Sequence, residues 1–266
     1  MTEPHQSVPA PSQRGGIVLL IAAGPIGWAV ANELVRRLGP ITIVAEKGEG
    51  RFALLRRRAR HLGTLYALGQ LAASVVQRVL LRGTNKRRQE IIAALDLQTE
   101  APANCEVHHV SNVNAPECHE LLRTIAPAAV AVFGTRLLRG ATLSSIDAPF
   151  INCHPGINPK YRGIDPAYWA LVEGDVENVG VTIHLVDEGV DTGRVLYQGP
   201  SKFTASDNIQ TYQWLQIRDS VPLFAQALND ALAGDLKPTV PDLPSKQYFA
   251  PTVWQYLWYG LTRRVW

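Results

Sequence analysis

A chain of 266 residues with 26 Lys or Arg against 23 Asp or Glu is long enough to bury a substantial core, and its net charge is too small to name a partner. Three cysteines, Cys105, Cys118 and Cys153, fit neither a disulfide framework nor a zinc spacing, so a reducing cytoplasm is the expected compartment. The opening residues lack an apolar core, which predicts a disordered lead-in over 1–15 and no signal peptide. The uncharged run from Leu62 to Gln77 is shorter than the roughly 20 residues of a membrane span.

Ile17–Ala22 is a continuous apolar run, as in a strand buried on both faces. Gly24–Gly27 breaks it, Trp28–Leu38 has helical periodicity, and Ile41–Ala45 reads as a second buried strand, so the chain opens βαβ and a parallel sheet is expected. Residues 51–95 read as helices interrupted near Gly83–Thr84. Further strands are expected at Val107–Val110, Ala129–Phe133, Phe150–Cys153, Val181–Val186 and Arg194–Gln198, with helices at Glu117–Ile125 and Ile209–Ala233, the latter disturbed at Pro222. No repeat or linker divides the chain. One α/β domain over 16–235, a helical insertion at about 51–95 and a C-terminal extension over 236–266 is the simplest organisation.

Three features lie outside this frame. Ala22-x-Gly24-x-x-Gly27 with Glu46 at the end of the second strand resembles part of a dinucleotide fingerprint, but one glycine is missing and Pro25 sits in the turn; a polar or phosphate group of a substrate near Gly24 is the better use of those amides. From Arg51 to Arg88 there are ten Lys or Arg and no Asp or Glu, either a solvated face or a landing surface for an anionic partner. No nucleic-acid-binding motif is present. In the tail, Trp254, Trp258 and Trp266 suit packing against the domain or a second subunit, a homo-dimer being one outcome; contact with a membrane surface is the less favoured reading.

The chemistry concentrates between Ile151 and Gly193. Asn152 and His154, two residues apart on a strand, leave it on one face, and Cys153 faces away as a packed thiol. An amide donates to a developing oxyanion, and an imidazole, with an ordinary pKa of about 6.5, shuttles protons at neutral pH. Asp191 suits orienting and charge-stabilising that imidazole. For His184, one strand over, a structural role is slightly favoured over a chemical one. His108 and His109 have no spaced second ligand pair, so no metal is expected.

Asn152-x-His154, Pro159-x-Tyr161-Arg162-Gly163, Gly180-Val181-Thr182-x-His184 and Asp191-Thr192-Gly193, in that order, resemble the 10-formyltetrahydrofolate-dependent formyltransferase family. The resemblance implies a Rossmann-like, mostly parallel twisted sheet with flanking helices, extended here by the helical insertion and a short C-terminal aromatic appendage. It implies that Asn152 polarises a formyl oxygen, His154 shuttles a proton and Asp191 orients His154 or a water, all without a metal. It places folate between Arg136, Leu137 and Leu138 on one side and Val186, Asp187, Glu188, Gly189 and Val190 on the other. Gly24, Tyr161, Arg162 and Gly163 fall to the substrate. Pro155-Gly156-Ile157-Asn158-Pro159 departs from the family's Ser-Leu-Leu-Pro turn, and neither a C-terminal β-barrel nor an N-terminal regulatory domain is read. A small-molecule amine acceptor, an amino sugar nucleotide or another specialised amine, is therefore expected. A formyltetrahydrofolate hydrolase, a nicotinamide-binding oxidoreductase and a non-catalytic membrane- or partner-docking protein remain the alternatives.

Overall fold

In the computed structural model the structure describes residues 15–80 and 83–266; the expected lead-in up to residue 14, and Arg82 in the basic stretch, lie outside them. β1 (Gly15–Ala22) feeds α1 (Pro25–Leu38) and returns as β2 (Thr42–Glu46). The Gly24–Gly27 segment, expected as a break, is largely the first turn of α1: Pro25 occupies a position whose missing N–H costs nothing. Gly27 is needed because a Cβ there would stand 2.4 Å from the carbonyl oxygen of Ala22, so the helix packs directly on the strand's last turn.

The insertion forms α2 (Arg51–Leu62), α3 (Thr64–Leu80) and α4 (Thr84–Ala94), with an additional break at Gly63. β3 (Val107–Val110), α5 (Pro116–Ile125) and β4 (Pro127–Phe133) follow, then α6 (Gly140–Leu143), β5 (Phe150–His154), β6 (Arg162–Gly163) and α7 (Pro166–Glu173). The chain continues through β7 (Gly180–Leu185), β8 (Val195–Pro200), α8 (Tyr212–Ala233), β9 (Gln247–Tyr248) and α9 (Val253–Arg263). Pro222 lies inside α8 without ending it, because Val221, Phe224, Ala225 and Leu228 are buried against the sheet and that packing outweighs one lost hydrogen bond. Among the described residues no single helix is long and apolar enough to cross a membrane.

Seven strands form one sheet in the order β3-β2-β1-β4-β5-β7-β8. The pairs from β3 to β5 are parallel, whereas β5–β7 and β7–β8 are antiparallel. Strand alternation builds two cores. Ile17, Leu19, Ile21, Ile43, Ile151 and Ile183 face α1 and α8 on one side, while Val18, Leu20, Val44, Val130, Val132 and Phe150 face α5 on the other. Order reverses between β1 and β4, and in open α/β sheets ligands bind beyond the carboxyl ends of strands at such a switch.

The tail is woven into the body. β9 pairs with β6, Tyr248 stacks on Tyr161 and on Trp169 with ring centroids 5.4 Å apart in each case, and the Trp169 indole donates to the carbonyl of Phe249 at 2.9 Å. Gln70 of α3 donates to the carbonyl of Ala250 at 2.7 Å, and a Thr252–Gln255 capping box starts α9.

Candidate active site

Asn152 and His154 share the sheet face of Phe150, and Cys153 lies in the opposite core. Burial pushes the Cys153 thiol up to about 12, a hydrogen bond with Ser220 opposing it, which removes it as a nucleophile. The antiparallel register sets His184 opposite Asn152 and Thr182 opposite His154. His184 Nδ1 lies 2.7 Å from the carbonyl of Leu185, which assigns the proton to that nitrogen and leaves Nε2 to accept from the Asn152 amide at 3.1 Å. Asn152 is thereby held with its nitrogen inward, 3.5 Å from Asp191 Oδ1.

His154 is 3% exposed. Its Nε2 donates to the carbonyl of Tyr161 at 2.8 Å, so in the neutral ring the lone pair is on Nδ1, which faces Asp191 Oδ2 at 3.4 Å. Burial lowers the His154 pKa below the ordinary value although Asp191 pulls the other way; the ring is neutral at pH 7. Burial would raise the Asp191 carboxyl, but His154, His184 and the Gly163 amide outweigh it and hold it at about 2. Gly163 donates its amide to Asp191 Oδ2 at 2.9 Å. With φ at +94° and a Cβ position 2.2 Å from the carbonyl oxygen of Tyr248, only glycine fits there.

Asn152, His154, His184 and Asp191 open onto a cavity of about 370 Å³ that Arg136, Leu137, Leu138, Val186, Asp187 and Gly189 also line. Neither Glu188 nor Val190 lines it. Glu188 lies against Gly140, and Val190 gives its carbonyl to the Arg162 guanidinium at 2.7 Å. A second cavity of about 650 Å³ shares Thr135, Arg136, Leu137, Gly163, Ile164 and Asp191 with the first. Its far walls come from Arg57, Arg58 and His61 of α2 and from Gln247, Tyr248 and Phe249 of the tail.

Three of the four residues expected at the substrate, Tyr161, Arg162 and Gly24, stand elsewhere. The Tyr161 side chain is fully buried, its hydroxyl spent on Asp175 at 2.7 Å and Glu173 at 3.2 Å, so it reaches no substrate; its contribution is the carbonyl that fixes His154. Arg162 is committed to Val190 and, at 3.0 Å, to Ser245 Oγ, tying down the loop before Asp191. Gly24 lines neither cavity. Glu46, which a nicotinamide ribose would require, is 3% exposed and spends both oxygens on protein donors. These are the Val113 amide at 2.9 Å, the Arg136 amide at 3.0 Å and the Arg136 guanidinium at 2.6 Å.

Sequence reasoning did not single out Asp165, named Arg58 only within the basic cluster of α2 as a landing surface for an anionic partner, and favoured a structural His184. Pairing the Phe150 and Val181 strands antiparallel finds His184, since that register sets it opposite Asn152. Asp165 precedes a helix-starting proline and so reads as a cap, yet its side chain makes no cap hydrogen bond and lines the first cavity. Burial pushes its carboxyl up to about 6, with Arg58 opposing. Among the described residues no group of three His, Cys, Asp or Glu side chains could hold a metal.

An amide N–H, an imidazole lone pair and a carboxylate at one cavity mouth suit acyl transfer to an amine. A Synechocystis methionyl-tRNA formyltransferase is 37% identical over 101 residues, 38% of this chain and 30% of that protein. The chain spans less than half the length of the curated relatives it matches. Two solved structures share the fold: glycinamide ribonucleotide transformylase 1 from Symbiobacterium toebii (17% identity, TM-score 0.53, 88% of this chain and 92% of that one), and an N-formyltransferase from Helicobacter canadensis in complex with folinic acid and dTDP-3-aminofucose (12% identity, TM-score 0.53, 87% and 70%). The sequence pattern of the Formyl transferase family matches residues 50–218, which takes in the insertion, β5, β7 and the Asp191 turn, and with that match the chain belongs to the formyl transferase family.

Proposed function

We propose that the protein is a folate-dependent N-formyltransferase acting on the amine of a small acceptor. The observation that carries this reading is the convergence of Asn152, His154 Nδ1 and Asp191 on one cavity mouth. Bound 10-formyltetrahydrofolate supplies an activated formyl group on N10. The residues fit it: Leu137, Leu138 and Val186 wall the first cavity with apolar surface suited to a flat ring, and the same cavity reaches Asn152 and His154.

His154 is neutral, its Nε2–H held by a carbonyl, so Nδ1 accepts the proton that the attacking amine sheds. The imidazolium so formed faces the Asp191 carboxylate, and its proton returns to the departing nitrogen. Asn152, fixed by one N–H on His184, has its second N–H only weakly held by Asp191 at 3.5 Å and turns it to the oxygen on which charge develops. Gly163 and Arg162 act through Asp191 by holding its loop.

The second cavity supports an acceptor that carries negative charge, since Arg57, Arg58 and His61 line it and Asp191 lies where it meets the first. An amino sugar nucleotide answers that description, and dTDP-3-aminofucose in the Helicobacter canadensis structure is of this class. A second reading, the amine of a methionyl-tRNA, is favoured by the name of the Synechocystis relative.

The test is tetrahydrofolate release by the purified chain given 10-formyltetrahydrofolate and, separately, amino sugar nucleotides, methionyl-tRNA or no amine. Release dependent on one amine supports the transferase and names the acceptor. Release with water alone makes it a hydrolase, and neither release nor folate binding would overturn the reading.

A further inference from the structure

We propose that the protein docks on anionic lipid bilayers through a face built from α3 and α9. Fourteen large apolar side chains are exposed among the described residues, and nine of them lie on these two helices, so this is a patch and not a scatter. Along α3, Leu65, Leu68, Val75 and Val79 form a stripe at helical spacing, with Leu65 74% exposed. Ala67, Gln70 and Ala73 on the other side of that helix are buried. Along α9, Trp258 and Leu261 are 65% and 75% exposed. The two helices pack together, and the half-exposed Trp254 ring lies against Gly69, so the stripes meet at that crossing. Two packed helices that each carry an exposed apolar stripe opposite the side resting on the body have the form of an interfacial anchor.

The rim chooses the partner. Arg56 and Arg60 of α2, Arg78 of α3, and Arg263 and Arg264 at the end of α9 are exposed, and no acidic residue occurs between Arg51 and Arg88. Cations around exposed leucine and tryptophan match the interface of an anionic bilayer, where acyl chains receive the apolar side chains and headgroups the arginines. A second copy of the chain fits poorly, because a two-fold interface sets the same cationic rim against itself. RNA would meet the arginines but leave the row of leucine and valine without a counterpart, since bases stack on aromatic and guanidinium planes.

The test is co-sedimentation with phosphatidylcholine vesicles with and without phosphatidylglycerol. Binding is expected to the anionic vesicles, weakening in high salt, and to fall at least tenfold in Leu65→Glu/Leu68→Glu and in Trp258→Glu. Circular dichroism should stay unchanged, since these side chains are solvent-exposed. Arg56→Glu/Arg60→Glu should remove the preference for anionic lipid. Failure to bind either vesicle, or parent-like binding by both apolar variants, overturns the proposal. So does a dimer in light scattering that the leucine variant dissociates, which would make a second copy the occupant. tRNA binding that the leucine variant keeps, without vesicle binding, overturns it as well.

Discussion

Asp191→Asn probes the site without knowledge of the acceptor. The folded state holds the Asp191 carboxyl at about 2 against an ordinary 3.8, and at about 1.36 kcal/mol per pKa unit this difference stabilises the charged, folded form by about 2 kcal/mol. The folded pKa is the lower one, so the contribution is complete above 3.8 and is lost as pH falls towards 2, with about half gone by pH 3. Asp191→Asn should therefore unfold in urea with up to about 2 kcal/mol less stability at the acid end of the range above 3.8, where charged imidazoles face the carboxylate; the gap from the parent should shrink towards pH 7 as the rings become neutral, and by about half at pH 3 as the carboxyl protonates. The substitution also removes the group that raises the His154 pKa, so the acid limb of any pH–rate profile should move to lower pH while the maximal rate falls. Equal stability of variant and parent at every pH, or a gap independent of pH, would refute the assignment of Asp191 as the charged partner of His154 and His184.

Asn152→Ala should lose about 10²–10³ in rate while keeping folate affinity, as removal of one oxyanion donor does; titration calorimetry beside turnover separates the two, and lost affinity would move Asn152 to the folate pocket. The parent's rate should be flat above the ordinary histidine range and fall only below it, because burial lowers the His154 pKa and the neutral ring is the active form; an acid limb above pH 7 would contradict this. Cys153, raised to about 12 and buried, should resist thiol reagents until the chain unfolds, so its modification in the native protein would show the core is open. Gly163→Ala sets a Cβ 2.2 Å from the Tyr248 carbonyl oxygen at φ +94°; it should cost at least about 2 kcal/mol and lower Tm by roughly 4–8 °C, and an unchanged melt would show that β6 and β9 yield.

The strands were legible because apolar runs bounded by glycine, proline and charge are a local signal, and the seven main-sheet strands stand where those runs are. Their order was not legible. Nothing local to Phe150–His154 says that the next sheet strand runs antiparallel to it, and that reversal is what sets His184 on Asn152. Asn152, His154 and Asp191 come together as their chemistry and spacing suggested. Tyr161 and Arg162 were misread because a motif shows which residues are required and not which of their atoms work: the first contributes a carbonyl and the second holds a loop. The tail read as an appendage because its pairing with β6 spans more than eighty residues of sequence and depends on aromatic stacking that no periodicity announces.

This division between what was legible and what was not follows the reaction. Any amine that attacks a formyl carbon needs the same three services, a donor for the oxygen, an acceptor for the proton and a counter-charge for the imidazolium. Those services fix the residue types on β5, β7 and the Asp191 turn, whichever acceptor is used. In the proposed reading the rest of the acceptor extends past that centre into the second cavity, whose walls are Arg57, Arg58 and His61 of the insertion and Gln247 to Phe249 of the tail. Those side chains answer to the acceptor's shape and charge and not to the chemistry of formyl transfer. Insertion and tail are also braced on each other, Gln70 to Ala250 and Gly69 to Trp254, so the selective wall is a single packed unit. The catalytic stretch therefore names its family readily, while the proposed acceptor wall is built from segments that meet only once the chain has folded.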